Sequence, residues 1–391
     1  MTYAQRSMYD ADSHIMELPD FLQKYADPSV RAEMPAVSYS ASIVTDEEVA
    51  VIMAQGGRHS DEHIASLLGL GDKLIEKSKE IQALGAFDGK DRKAAMDLLG
   101  FKKQLVFATH SVAMPFSPSS KLDPKLRYGG TRAHNRHMSA FCAEDARLMG
   151  VAIVPLDDAE AALAELEWVL KSNLKAVWVP HRSAGDKSPG HVSLDPFWAR
   201  LAEAGMPFLL HVGGSPLQLT KAWGNNGRAA TKDWLGGGEN LRTKDVAVLH
   251  QGPETFLSML VIEGIFERFP KLKGASVELG AGWVPEMLRR LDWVAKHWGR
   301  TDQTLASFKR PPSQQLTEQM AFTPFVFEEV GSFIDQSNPD LYLFSSDYPH
   351  IEGGRNPIAR FEASLGTRAP AVRDKFYEEN FLRIFPDARA A

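Results

Sequence analysis

The pattern of apolar and polar positions changes rhythm at Ala86. Beyond it, short and nearly continuous apolar runs alternate with stretches of helical period. Residues 104–110, 150–155, 175–180, 207–211, 273–278, 320–325 and 341–347 read as strands. Residues 91–99, 134–149, 158–171, 195–204, 254–269, 283–297 and 372–385 carry apolar positions at helical spacing, with Gly100, Gly205 and Pro270 as stops. Strands that lack polar alternation are covered on both faces. Their alternation with helices predicts repeated βα units, a parallel sheet and an α/β fold.

Two stretches break the rhythm. Residues 28–85 begin irregularly, with Pro28, Pro35 and Gly56-Gly57, and then allow helices over 61–68 and 72–84. This reads as a loop-and-helix cap inserted after the first strand, not as a separate domain. Residues 213–244 hold Asn225-Asn226-Gly227 and Gly236-Gly237-Gly238 and read as a long loop. The triple glycine does not sit between a strand and a helix at phosphate-loop spacing, so it is no nucleotide signature. The expected organisation is one domain over 1–391, interrupted by these two insertions.

Composition narrows the class. The chain has 391 residues, 44% hydrophobic and 24% charged, which is enough for a large core. The net charge of −6 is interspersed in sign, without a basic stripe, so neither a nucleic acid nor a membrane is the expected partner. The single Cys142 excludes an internal disulfide and fits a reducing compartment. With no signal pattern or apolar span, the cytoplasm is the default location.

Chemistry collects where the strands end. Asp12 and His14 are two apart and so share one side of a first strand. His110, His181, His211, Glu278 and Asp347 end or follow later strands. In parallel βα architectures such ends meet at one face. A gathering of imidazoles and carboxylates needs a cation, and zinc, iron or manganese suits these donors. Asp10 reads as structural. His59, His63, His134 and His137 read as surface histidines.

These residues carry a resemblance. The opening Asp10-Ala11-Asp12-Ser13-His14 is similar to that of the amidohydrolase superfamily. The nearest branch is amidohydrolase-2, which includes aminocarboxymuconate-semialdehyde, resorcylate and carboxyvanillate decarboxylases. Further matching blocks are Pro207-Phe208-Leu209-Leu210-His211, residues 264–273, Glu278-Leu279-Gly280-Ala281-Gly282-Trp283-Val284-Pro285, and Ser345-Ser346-Asp347-Tyr348-Pro349-His350. The close resembles the family's final helix through Asn380, Arg383 and Phe385. The resemblance implies a distorted (β/α)8 TIM barrel with one divalent metal at its mouth, zinc first and manganese or iron next. Asp12, His14, His211 and Asp347 match its ligands, and Asp347 also its proton shuttle. Glu278 stands where many members have a histidine, so it enters as a catalytic candidate of altered chemistry, with His250 or His350 as the replacement imidazole. His350, Arg355 and His181 are the candidate substrate contacts, and Arg289 or Arg355 a candidate ion-pair partner for Glu278.

The function implied is a metal-dependent lyase that decarboxylates a small aromatic or unsaturated carboxylic acid. Hydrolysis or hydration of an amide, ester, lactone or conjugated acid at the same site is the alternative. A barrel that only binds a small acid is the rival from another class. The family also implies a homodimer.

Overall fold

The computed structural model describes residues 6–39, 44–216, 219–229 and 242–389. Gly236–Gly238 lie outside the described residues.

The first strand is two short pieces, β1 (Tyr9–Asp10) and β2 (His14–Ile15), both beside β3 (Lys103–Ala108). Then follow β4 (Leu148–Ile153), β5 (Ala176–Trp178), β6 (Phe208–His211), β7 (Gly274–Val277) and β8 (Met320–Phe322). Every pairing between these strands is parallel, and from β3 onward every neighbour is the next in sequence. The strand expected over 341–347 does not form a regular ladder. A 3-10 turn occupies Pro339–Leu341 and the chain beyond it is extended. This segment still bridges the sheet's two ends. Leu343 N–H donates to Phe322 O at 3.0 Å, Ala11 N–H to Phe344 O at 3.1 Å, and His14 N–H to Tyr348 O at 2.8 Å. The result is a (β/α)8 barrel with an irregular seam.

Alternation along the strands sorts the core. Leu105, Phe107, Val151, Ile153, Trp178, Leu209, Ala275 and Val277 fill the barrel interior. Val106, Ala152, Val177, Phe208 and Leu210 pack outward against the helices. The helices as far as Trp298 are α1 (Phe21–Tyr25), α2 (Asp46–Ala54), α3 (Asp61–Leu68), α4 (Leu74–Lys77), α5 (Gly89–Leu99), α6 (Pro124–Cys142), α7 (Ala159–Val169) and α8 (Asp195–Ala204). After these come α9 (Lys221–Gly224), α10 (Thr243–Val248), α11 (Gln251–Ile262), α12 (Ile265–Arg268) and α13 (Val284–Trp298). No described helix is long and apolar enough to cross a membrane.

Several expectations change. The helix expected over 134–149 starts at Pro124, capped by Asp123, and ends at Cys142, so 148–149 belong to β4. The helix expected over 254–269 breaks where Gly264 takes a φ of 75°, separating α11 from α12. Residues 72–84 form α4 between two 3-10 turns. The cap also holds α2, opened by a Thr45–Glu48 capping box. His134 and His59 are buried, not surface residues. His134 lies on the inner face of α6, edge-on to Phe21, and His137 stacks on the same ring at 3.8 Å.

Candidate metal centre

The barrel register brings the predicted residues together. His211 ends β6 opposite Val277 of β7, so the next residue, Glu278, lies at the same level. By strand alternation Glu278 would face outward with Ser276. Its backbone is instead left-handed, with a φ of 51°, and the carboxylate turns back over the barrel mouth. Asp347 has the same conformation, with a φ of 52°, and its N–H donates to Asp12 O at 3.0 Å across the seam. Gly353 seals the loop behind it, because a Cβ there would fall 2.1 Å from Ser346 O and 2.9 Å from Asp347 Cβ.

Two overlapping groups result, Asp12, His14, His211 and Glu278, and His14, Glu278, Asp347 and His350. Within each, the candidate donor atoms lie within 4.8 Å of one another, and all these residues are buried. Asp12 Oδ1 is 3.3 Å from the Nε2 of both His14 and His211. Glu278 Oε2 lies 3.4 Å from His211 Nε2 and 3.8 Å from His14 Nε2, and Asp347 Oδ1 lies 3.7 Å from His14 Nε2. His350 Nδ1 is 3.1 Å from Asp347 Oδ1, and its ring stacks on His14 at 4.0 Å.

Supporting contacts hold these side chains. His211 Nδ1 is 2.9 Å from Val212 O, which directs Nε2 into the cluster. Phe107 and Trp178 pack on the same ring at 4.3 Å and 4.9 Å. His350 Nε2 is 3.1 Å from Thr109 Oγ1, which donates to Ile15 O. Asp10 is structural, as expected. It accepts from Ser346 N at 2.7 Å, Ser346 Oγ at 2.6 Å and Gln104 Nε2 at 2.7 Å, and burial still lifts its pKa to about 7. Glu17 Oε1 accepts from the N–H groups of Thr109, His110 and Ser111, which pins the end of β3.

The electrostatics fit a cation. Burial works to raise the Asp12 pKa, but the charge of His211 and the nearness of both imidazoles turn the net shift downward. Burial, and then the charge of Asp12, pushes Asp347 well above the ordinary carboxylate range. Burial, then the charge of His350, holds His14 well below the ordinary imidazole value. His14 Nδ1 has no hydrogen-bond partner, and Nε2 faces the carboxylates of Asp12, Asp347 and Glu278. A buried imidazole whose Nε2 faces three carboxylates that repel one another is a donor set that a divalent ion satisfies.

The remaining candidates are spread around this centre. His181 is buried beside His211, its pKa pushed by burial to about 3. It opens on a cleft of about 450 Å³ with Arg182, Ser215 and Phe256. His110, its pKa lowered to about 4 by burial and then by His350, lies at a cleft of about 650 Å³ lined by Val37 and Met114. His250 is half-buried where α11 begins, and burial lowers its pKa. Arg355 is exposed on the loop after Asp347. Arg289 pairs with Glu286 at 2.7 Å, so it is not the partner of Glu278. One residue near the centre had no sequence signal. Lys79, read as part of a helix over 72–84, reaches His350 O at 3.1 Å beside Asp347.

Known proteins share this fold. An amidohydrolase from Mycobacterium avium subsp. paratuberculosis matches with a TM-score of 0.74 at 22% identity, over 97% of this chain and 99% of that one. A dihydroxybenzoic acid decarboxylase from a Polaromonas species, with manganese and 2-nitroresorcinol bound, gives a TM-score of 0.63 at 18% identity, over 99% and 98%. A 5-carboxyvanillate decarboxylase from Novosphingobium aromaticivorans, with manganese and 4-hydroxy-3-methoxy-5-nitrobenzoic acid, gives 0.63 at 15% identity, over 98% of each chain. At these identities the likeness is one of fold. No curated protein matches the sequence significantly. The amidohydrolase family does match, over residues 82–386, and the chain belongs to that family.

Proposed function

We propose that the protein is a metal-dependent decarboxylase of a small aromatic or unsaturated carboxylic acid. The observation that carries this reading is the buried group of Asp12, His14, His211, Glu278 and Asp347 at the barrel mouth. Asp12, His14, His211 and Asp347 would hold the ion, and Glu278 stands close enough to join them. Carboxylate-rich donors and the manganese of two structural neighbours favour manganese over zinc. The bound ion supplies Lewis-acid polarisation of the substrate's oxygens.

The protein's own groups then do the rest. Phe107 and Trp178 wall the site against water beside His211. The carbon–carboxylate bond breaks, its electron pair stays on the substrate carbon, and that carbon takes a proton from the Asp347 carboxyl as CO2 leaves. His350 Nδ1, 3.1 Å from Asp347 Oδ1, passes a replacement proton back, with Thr109 holding the far side of its ring. A homodimer in the cytoplasm, acting on a free small acid, completes the reading. Hydrolysis through the same residues is its alternative.

The test combines metal analysis with CO2 release. Protein purified with manganese should hold one ion per chain and release CO2 from members of a hydroxybenzoate panel. Asp347→Asn should cut that rate by at least about 100-fold, the scale of a lost general acid. Stoichiometric metal with turnover only of esters, amides or lactones would move the assignment to hydrolysis.

A further inference from the structure

Lys79 reaches the centre from the cap, and its position is set by its neighbours. Glu80 N–H donates to Pro349 O at 2.9 Å, and Ile351 N–H donates to the Glu80 carboxylate at 2.8 Å. Ser78 Oγ and Tyr348 OH lie 3.0 Å apart in a shared hydrogen bond. Glu80 has a φ of 53°, which turns the chain between these contacts. The segment is therefore stitched to the loop that carries Asp347 and His350. Its lysine sits half-buried against the backbone of His350.

The ammonium donates to His350 O at 3.1 Å, and Asp347 is the first charge to act on it, followed by Glu80 and Glu352. An ammonium has three donors, and a carbonyl takes one of them. The other basic candidates stand elsewhere, since Arg289 is paired with Glu286 and Arg355 is exposed. An anionic substrate approaching this mouth meets the carboxylates of Asp12, Glu278 and Asp347. Three ionised carboxylates outweigh one divalent ion by a single charge, and an ammonium beside them offsets it.

We propose that Lys79 recognises the acid group of the substrate, pairing its ammonium with a carboxylate brought in beside Asp347, and so restricts the enzyme to acids. The inference rests on the reading of the site as an acid-binding metal centre. Lys79 then acts in binding: its loss raises KM more than it lowers kcat.

The probes are 2,6-dihydroxybenzoate, salicylate and benzoate, each beside its neutral amide, titrated onto the manganese-loaded protein. The wild type should favour an acid over its amide. Lys79→Met should weaken the acid by about 10- to 100-fold, the scale of a lost charge-assisted bond, and leave the amide unchanged. Lys79→Arg should keep most of the preference. Lys79→Gln, which retains a donor for His350 O, serves where Lys79→Met does not fold. A variant that weakens acid and amide alike would make Lys79 a purely structural tie, and one that keeps the full preference would remove it from recognition. A wild type with no preference for acids, or with no binding of either probe, would instead sink the acid-substrate reading, and this inference with it.

Discussion

Glu278 and Asp347 share an unusual backbone, left-handed at a non-glycine residue, and both face His14. Such conformations persist where surrounding contacts over-determine them, and here the contact is a shared charge centre. Glu278→Gln separates charge from shape. With one of three carboxylates neutralised, the metal-free protein should melt at a higher temperature, since repulsion falls. Manganese affinity should drop about 10- to 100-fold, the scale seen for residues that tune a metal site. Calorimetric titration and melting with and without manganese read both signs. A lower melting temperature in the metal-free variant would make Glu278 a structural acid. At this scale the sequence was informative where motifs were local. Asp12 and His14 lie two residues apart, and His211 and Asp347 end apolar runs, so each is visible in its own neighbourhood. Lys79 is not, because its place depends on the cap folding onto a loop some 270 residues away, whose Ile351 meets Glu80 at a separation of 271.

Two helix starts are set by caps. Asp123 accepts from Lys125 N–H and Pro124 opens α6, while Thr45 and Glu48 cap α2 reciprocally. Both are start signals written in the sequence. The burial of His134 was not legible, since polar residues on a helix default to the solvent side. That burial has a consequence for α6. The His134 pKa falls from 6.5 to about 3 through burial, opposed by Asn135 and reinforced by nearby His137. Between those values the unfolded chain binds the proton and the folded chain does not. Stability is thus retained above about pH 6.5 and lost as pH falls towards 3, with about 2 kcal/mol gone by pH 5 from this group. His134→Gln should be less stable than wild type at pH 7.5 yet lose less on acidification. Denaturant melts at pH 7.5, 6 and 5 measure the slopes, and parallel slopes for the two proteins would mean that His134 is not the titrating group.

For the whole molecule, the order of strands was legible because parallel βα units put each strand beside the next. The seam was not, because residues 342–348 close the barrel by scattered bonds without a ladder. The centre sits on that seam. Asp12 and His14 come from its first side, Asp347 and His350 from its last, and His211 and Glu278 from the sheet opposite. An ion held by residues from both sides ties the barrel closed as well as serving chemistry. A ligand that binds only the folded state stabilises it by about 2.7 kcal/mol when present at 100 times its Kd. Manganese added to chelator-treated protein should therefore raise the melting temperature. The gain should be local: amide exchange should slow most over residues 8–16 and 342–350, on the two sides of the seam. The outer helices α7 and α8 should change little, since their cores are complete without it. Protection confined to the β6–β7 side would place the ion between His211 and Glu278 alone and detach it from the seam. Exchange that slows equally across the barrel would mean that the ion stabilises the fold globally, with the seam no weaker than the rest.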